Sequence, residues 1–467
     1  MKIPYKIRPV ILSGGSGSRL WPISTENYPK QFINFIEKKT LFETTLERLK
    51  KIKNLSTPLI ITNEKYKFIT QNFLKKLNIK SHIILEPESK NTVTSFYLSS
   101  LFSKTNELLL FLPSDHFIEN SQLFVKMLNL ALGEYIENTW ITFGIKPSFP
   151  HDGYGYIKST QNKHKSNKGL FKIEKFVEKP SKEKAKKMIK EKDYFWNSGI
   201  FIASSELVKN TITKLEKDIA SDCDIIWSNK IKNTDVISFD RNSFKKLRQK
   251  SIDYTLMEIP NKMFMYNLDV GWNDIGSWDS FFRIQKSKVN PNLIININSK
   301  NNYIYPTSRM IATIDVQDLI IVDSSDSLLI SKKGSSEKIK QEIENFDKQF
   351  KNKTQHKKFI KPWGFYEILL DSEQTKVKRL NIFPNTRLSY QYHKYRNEHW
   401  VIISGIAEVK IDDKIKILHK NNSVYIKKKT KHYIKNISDQ NLIVIETQTG
   451  DYFGEDDIIR IDDPFKR

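Results

Sequence analysis

The stretch Ser13 to Arg19, reading SGGSGSR, follows the apolar run PVIL and offers the backbone N–H groups of Gly14, Gly15, Ser16 and Gly17 with little side chain in the way. Glycine permits close backbone approach, Arg19 adds a forked donor and Lys30 a point charge, a set suited to a polyphosphate. Two familiar phosphate loops are excluded by counting. The dinucleotide fingerprint needs a third glycine where Leu20 stands, and the P-loop needs Gly-Lys-Ser/Thr where Arg19 and Leu20 stand. Asp115 follows an apolar run and Pro113, and Asp274 sits in GWNDIGSW. Two carboxylates on separate segments can share one magnesium whose shell is completed by substrate phosphates; the competing use of each is a helix cap or a turn. Far along the chain, LSYQYHKYRNEHW puts Gln391 and His393 on one face of a strand and Glu398 after a turn-like KYRN, with His432 in a later β-like segment. Imidazole with carboxylate suits a first-row transition metal. The competing reading is a barrel histidine with a satisfied hydrogen bond.

These residues need scaffolds, and the hydrophobic periodicity supplies two. From residue 9 to about 145, PVIL, PLIIT, HIILE, ELLLFL and TWITFGI read as buried strands, while LFETTLERLKKI, YKFITQNFLKKL and NTVTSFYLSSLFSK carry apolar residues at helical spacing. That alternation predicts a βαβ series with a mainly parallel, Rossmann-like sheet. Ligands of such sheets sit beyond the carboxyl ends of the strands, where SGGSGSR, Glu86-Pro87 and Pro113 to His116 fall. GYGYI, FVEKP, WNSGIFI and LDVGWNDIGSW read as an elaboration of the same sheet, forming a substrate wall. Short β-like pieces and a charged helical stretch, SEKIKQEIENFDKQF, then form a connecting segment, and beyond it short strands at near-regular spacing predict a jelly roll. The expected domains are 1–287, 288–350 and 351–467.

At 467 residues the chain holds several domains and a sizeable core. Its net charge of +24 is spread along the whole length and mixed with acidic residues in runs such as SKEKAKKMIKEK, the pattern of solvated helix faces and not of a nucleic-acid footprint. No apolar run reaches membrane-span length, and the basic start breaks into glycine before a signal-peptide core is complete. With a single cysteine, Cys223, these features predict a cytoplasmic protein without nucleic-acid partner or membrane insertion, and leave a homo-oligomer open.

Ser13 to Phe32 resembles the signature of sugar-phosphate nucleotidyltransferases, and SGGSGSRLWP, YPKQF, PSDH, EKP, NSG and GWNDIGSW resemble the mannose-1-phosphate guanylyltransferase branch. The resemblance implies GTP plus mannose 1-phosphate giving GDP-mannose and pyrophosphate. It implies that Gly14, Gly15, Ser16, Gly17, Ser18 and Arg19 hold the triphosphate with Lys30 nearby, that Glu86 contacts the nucleotide, and that Asp115 and Asp274 ligate magnesium. Gly153, Glu178 and Asn197 become sugar contacts, and Lys179 meets the sugar phosphate. Arg19, Lys30, Asp115, Lys179 and Asp274 form the implied catalytic set. No general base is required, because the nucleophile is a phosphate oxygen already anionic near neutral pH, and His116 reads as a structural neighbour. Ser114, Lys90 and Thr25 depart from the family's usual alanine and arginines, and lysine cannot make a bidentate arginine contact.

Gln391, His393, Glu398 and His432 resemble the cupin metal motif, with Gln391 in place of its first histidine. KPWGFYEIL, QYH, EHW and GEDDIIRIDD, from about Phe359 to Asp463, resemble the isomerase domain of bifunctional type II mannose-6-phosphate isomerases. The implied reaction interconverts fructose 6-phosphate and mannose 6-phosphate through an enediol, with Zn²⁺ or a similar divalent transition metal at the cupin site. Lys378 and Arg460 are candidate phosphate contacts. If Glu398 points inward, its strand neighbour His399 points outward. KKKTK replaces the family's usual proline and glycine turn, and Tyr433 its usual arginine. The chain is thus expected to be an α/β nucleotidyltransferase, a small connecting β domain and a C-terminal all-β cupin, together making GDP-mannose for polysaccharide or glycoconjugates. The alternatives are a guanylyltransferase with a structural cupin and a non-catalytic nucleotide-sugar sensor.

Overall fold

Val10 and Ile11, Leu59 to Ile61, Ile83 to Leu85 and Leu108 to Leu112 are all buried. Apolar residues buried on both strand faces mark central strands covered by helices on either side. In the computed structural model these runs form β1 (Lys6–Ser13), β2 (Leu59–Asn63), β3 (His82–Glu86) and β4 (Glu107–Pro113). They are followed by β5 (Phe117–Ile118), β6 (Trp140–Ile145), β7 (Tyr156–Ser159), β8 (Leu170–Val177), β9 (Tyr194–Ser204), β10 (Ile231–Asn233), β11 (Val236–Ser238), β12 (Met263–Asn267) and β13 (Trp272–Asn273). The structure describes residues 3–15, 17–34, 39–160, 169–256, 259, 262–284, 291–307, 309–350 and 358–465. The chain divides into two units, one of Met1–Ser24, Pro29–Lys67 and Phe73–Asn345, the other of Thr25–Tyr28, Phe68–Asn72 and Phe346–Arg467.

Among the described residues, the first unit is built on an eleven-stranded sheet ordered β10-β11-β3-β2-β1-β4-β9-β6-β12-β8-β7. β11, β3, β2, β1 and β4 run parallel; β9 enters antiparallel between β4 and β6, and β12 is again parallel to β6. The segment WNSGIFI therefore lies inside the sheet, dividing the parallel series. Register fixes the functional edge: Ser13 lies beside Thr62, Asn63 beside Glu86, and Leu12 beside Pro113. Gly14, Glu86 and Asp115 consequently emerge at one edge. The flanking helices follow local signals. Leu41–Leu49 starts on a capping box in which Thr40 and Glu43 satisfy each other's backbone N–H groups at 3.1 and 2.7 Å. In Thr92–Phe102, Phe96 stacks on Phe111 of β4 with centroids 3.6 Å apart.

The connecting segment folds into β14 (Ile294–Ile297), β15 (Tyr303–Tyr305), β16 (Ile311–Ile314), β17 (Leu319–Asp323) and β18 (Leu328–Lys332), then the helix Ile339–Phe350. β14 pairs in parallel with β16 and β15 with β17, so successive turns of chain stack. Trp278 and Phe281 join Ile320 and Val322 in one buried cluster.

The second unit contains β19 (Lys358–Lys361), β20 (Gly364–Asp371), β21 (Thr375–Ile382), β22 (Tyr390–Tyr392), β23 (Arg396–Ser404), β24 (Ala407–Ile411), β25 (Lys414–Leu418), β26 (Ser423–Ile426), β27 (His432–Asn436), β28 (Leu442–Gly450) and β29 (Ile459–Asp462). Among the described residues they form a six-stranded sheet, β19-β20-β21-β28-β23-β26, and a five-stranded one, β25-β24-β27-β22-β29, around a shared apolar cluster including Trp400, Ile402 and Val444. Strand alternation sets what faces inward. On β23, Arg396, Glu398 and Trp400 are buried while His399 is exposed.

Candidate active sites

In the first unit the glycine loop turns tightly against the residues that follow it. Gly17 has φ +65°, and a Cβ there would lie 2.6 Å from the Lys30 backbone nitrogen, so only glycine fits. Lys30 is buried, and its Nζ lies 2.8 Å from Asp115 Oδ2 and 2.7 Å from the Asp274 carbonyl oxygen, to which it donates. The two aspartates meet because β5 and β13 pair antiparallel, Phe117 with Asn273 and Ile118 with Trp272. Asp274 Oδ1 accepts from Tyr154 OH at 2.6 Å and from the Gly276 N–H at 3.0 Å. Burial would raise the Asp115 pKa, but the Lys30 and His116 charges more than offset it and hold the carboxyl below its ordinary value. His116 is held below its usual range by burial, and its Nδ1 accepts from Trp272 Nε1 at 3.2 Å.

Gly14, Gly15, Glu86 and Asp115 line one cleft, together with Asp253. Glu86 is buried beneath the loop, a Cβ on Gly14 being 3.4 Å from its Oε2, and Ser95 Oγ donates to its Oε1 at 2.7 Å. Burial pushes its pKa up to about 7. Arg19 stands exposed on the turn Ser18–Leu20, without an ion pair among the described residues. Ser16 lies outside the described residues. Lys90 donates to the Lys245 carbonyl at 2.6 Å. The Lys30 ammonium bridges the Asp115 carboxylate and the Asp274 backbone carbonyl, and the hard oxygen donors of the two aspartates are of the type that suits a divalent cation such as magnesium.

On the sugar side, Glu178 pairs with Lys179 at 3.1 Å, and Lys179 is over half exposed with φ +44°. Asn197 accepts from Thr142 at 3.0 Å and donates to Asp253 Oδ1 at 2.8 Å. Burial, then the Asp253 charge, raises the Glu178 pKa; burial raises that of Asp253. Gly153 is exposed, its N–H donating to His151 Nδ1 at 2.9 Å. Sequence reasoning missed Asp253 and Tyr154. Asp253 carried only a weak signal, an acid at the start of a short amphipathic stretch.

In the second unit His393, Glu398 and His432 converge with candidate ligand atoms within 4.8 Å of one another. His393 Nε2 lies 3.1 Å from Glu398 Oε1, with Nδ1 turned to the Asp457 carbonyl at 3.3 Å. His432 Nδ1 faces the Thr430 carbonyl at 2.9 Å, while its Nε2 is buried and, among the described residues, has no hydrogen-bond partner, lying 3.6 Å from Glu398 Oε2. An unpaired imidazole nitrogen aimed at a carboxylate is a donor set that fits a transition-metal cation. Gln391 Nε2 stands 3.5 Å from His393 Nε2, and Gln391 Oε1 accepts from Ser389 Oγ at 2.6 Å. Burial would raise the Glu398 pKa, but His393, His432 and Arg396 hold it well below the carboxylate range; burial lowers that of His432. Lys378 is buried and Arg460 exposed, both lining the same cavity as Gln391 and Glu398.

Arg396, Glu446, Gln448 and Asp457 are the functional candidates sequence reasoning passed over. Arg396 lies 3.3 Å from Glu398 Oε1 and donates to the Gly454 carbonyl at 2.9 Å. Asp457 accepts from the Lys394 N–H at 2.8 Å, tying GEDDIIR to the His393 strand end. The alternation that put Gln391 and His393 on one face applies equally to Arg396 and Glu398, and to Glu446 and Gln448. Tyr433, facing away from His432, donates to Glu408 at 2.9 Å. In KKKTK the turn is kept with Lys429 at φ +69° and its N–H donating to the His393 carbonyl at 2.6 Å.

Fold and site geometry define a nucleotidyltransferase that carries a cupin with a candidate metal site. Residues 8–290 match the family described as Nucleotidyl transferase, residues 292–346 the MannoseP isomerase/GMP-like beta-helix domain, and residues 348–463 Mannose-6-phosphate isomerase C-terminal. The chain belongs to the bifunctional type II mannose-6-phosphate isomerase/mannose-1-phosphate guanylyltransferase family. It is 34% identical over 470 residues to the xanthan biosynthesis protein XanB of Xanthomonas campestris pv. campestris (strain B100), covering 99% of both chains. To mannose-1-phosphate guanylyltransferase 2 of Escherichia coli O157:H7 it is 35% identical over 472 residues, 98% of each. The fold also matches a crystal structure described as mannose-1-phosphate geranyltransferase from Thermus thermophilus. That match has a TM-score of 0.63 at 23% identity and covers 73% of this chain and 99% of that one. No helix among the described residues is long and apolar enough to cross a membrane.

Proposed function

We propose that the first unit transfers the guanylyl group of GTP to mannose 1-phosphate, releasing pyrophosphate, and that the cupin interconverts fructose 6-phosphate and mannose 6-phosphate. A phosphate oxygen of mannose 1-phosphate attacks the α-phosphorus of GTP, and the bond to the bridging oxygen of pyrophosphate breaks. The backbone N–H groups of Gly14, Gly15 and Gly17 cradle the triphosphate, while Arg19 and Lys30 neutralise it. Magnesium held by Asp115 and Asp274 supplies further charge neutralisation when bound. Glu178 and Asn197 hold the sugar and Lys179 its phosphate, which aligns the nucleophile. Glu86 presents carboxylate oxygens, acceptors suited to the N1–H and 2-amino donors of guanine, where adenine presents an acceptor at N1.

In the cupin, Gln391, His393, Glu398 and His432 would hold a transition metal of the zinc type, which would supply Lewis-acid polarisation of the sugar's oxygens. Lys378 and Arg460 take the 6-phosphate. With a separate enzyme moving the phosphate of mannose 6-phosphate to O1 between them, the two reactions lead to an activated mannose for polysaccharide assembly in the cytoplasm.

The observation that carries the transferase reading is Lys30 Nζ held 2.8 Å from Asp115 and 2.7 Å from the Asp274 carbonyl beside a glycine loop. It is tested by pyrophosphate release from GTP, ATP, UTP and dTTP, each with mannose 1-phosphate and glucose 1-phosphate. GTP with mannose 1-phosphate is expected to turn over fastest, and equal turnover of another pair overturns the selectivity. Transfer without isomerisation under several divalent metals leaves the cupin a structural role.

A further inference from the structure

Among the described residues lining the cupin cavity, three carboxylates stand out, and the isomerase reading has used only Glu398. Glu455 is at the rim, its side chain 49% exposed and paired with Lys361 at 3.3 Å. Glu446 on β28 is buried, with Lys378 of β21 and Trp400 of β23 as its register neighbours. Its Oε1 accepts from Gln448 Nε2 at 2.5 Å, and that same nitrogen lies 3.1 Å from Glu398 Oε1. One amide thus joins Glu446 to the carboxylate of the metal set. Lys378 Nζ is 3.9 Å from Oε1, and Oε2 makes no hydrogen bond among the described residues. Burial, then the Glu398 charge, pushes its pKa up to about 7.

Three other polar groups of the cavity are poorly suited to take a proton from carbon. Arg396 donates to Glu398 and to the Gly454 carbonyl, and guanidinium does not give up its proton. Burial raises the Tyr366 pKa, which disfavours its phenolate as a base. Lys378 is a cation beside a carboxylate, suited to holding phosphate.

We propose that Glu446 carries the proton between C2 and C1 of the open-chain hexose 6-phosphate, an assignment that rests on the isomerase reading of the cupin. From mannose 6-phosphate, the C2–H bond breaks, its proton passes to a Glu446 oxygen, and its electron pair forms the C1–C2 double bond of the enediol as O1 takes up a proton. Glu446 then delivers its proton to C1, the double-bond pair makes the new C1–H bond, and O2 loses its proton to become the ketone of fructose 6-phosphate. The proton gained at O1 and the one lost from O2 exchange with water, so nothing is consumed.

The test compares full-length wild type, Glu446→Gln and Glu446→Asp for bound divalent metal per chain, fructose 6-phosphate affinity by calorimetry, and kcat for interconversion. Glu446→Gln is expected to keep metal and sugar affinity within about two-fold while kcat falls on the order of 10²–10⁴-fold, the usual share of a proton-transfer group. Glu446→Asp, keeping the charge on a shorter arm, is expected to retain an intermediate rate with unchanged metal and affinity. Interconversion by Glu446→Gln near the wild-type rate overturns the proposal, as does parallel loss of metal, affinity and rate in both variants, which marks a structural prop. If wild type itself does not interconvert the sugars, the isomerase reading fails and the assignment falls with it, a result distinct from an active wild type with an active variant.

Discussion

Glu86 shows how burial writes pH dependence into one side chain. Its pKa is about 7 in the folded chain against an ordinary 4.5. Below pH 4.5 both folded and unfolded chains carry the proton; between 4.5 and about 7 only the folded chain does. Stability therefore falls as pH rises through that window, by roughly 3 kcal/mol at about 1.4 kcal/mol per pH unit, and stays lower above it. Glu86→Gln is expected to remove this slope, making the variant more stable than wild type at pH 8 but not at pH 4.5 in urea unfolding. An unchanged slope would acquit Glu86. The sequence pointed to this residue because an acid ending an apolar strand is conspicuous. Asp253 was illegible: its partner Asn197 lies 56 residues away, and nothing local says that an acid in SIDYT is buried against it. Glu446 was hidden for a different reason, since near-regular spacing of short strands predicts a jelly roll without saying which face of a strand an acid occupies.

At the scale of elements, two short features position both sites. The pairing of β5 with β13 brings the aspartate loops together, and it is preceded by Gly271, whose φ is +65° and where a Cβ would lie 2.6 Å from Glu119 Cβ. Gly271→Ala is expected to cost about 1–3 kcal/mol through overpacking and to lower the rate of guanylyl transfer while leaving isomerisation intact, as read by paired assays. In the cupin, Lys429 holds a left-handed conformation at φ +69°. That conformation costs a side-chain-bearing residue about 1–2 kcal/mol, so Lys429→Gly is expected to raise the unfolding temperature of the second unit in calorimetry, and a lowered one would contradict it. The βαβ strands and the short cupin strands were legible because their apolar runs have clear length and period. Two-residue β5 and β13 have neither, and their partnership depends on the folded sheet. β9 was recognised as part of the sheet, but its place between β4 and β6 follows from pairing that a single segment does not encode.

For the molecule as a whole, two units with separate candidate sites predict separable losses. Asp115→Asn is expected to abolish pyrophosphate release and spare interconversion, and His393→Ala to do the reverse while lowering bound metal. Joint loss in folded variants would refute two independent centres. The change from an α/β to an all-β pattern made that division readable, because the period of the apolar residues itself changes along the chain. The β5–β13 pairing also bears on synthesis. Trp272 and His116, which hydrogen-bond beside it, are 156 residues apart, a separation whose closure entropy is paid before the contact rewards it. A nascent chain still lacking residue 272 has its glycine loop, Lys30 and Asp115 but not Asp274, the second aspartate of the site. Turnover of GTP is then a property of the finished unit, and a ribosome-stalled or truncated product remains inert toward its nucleotide.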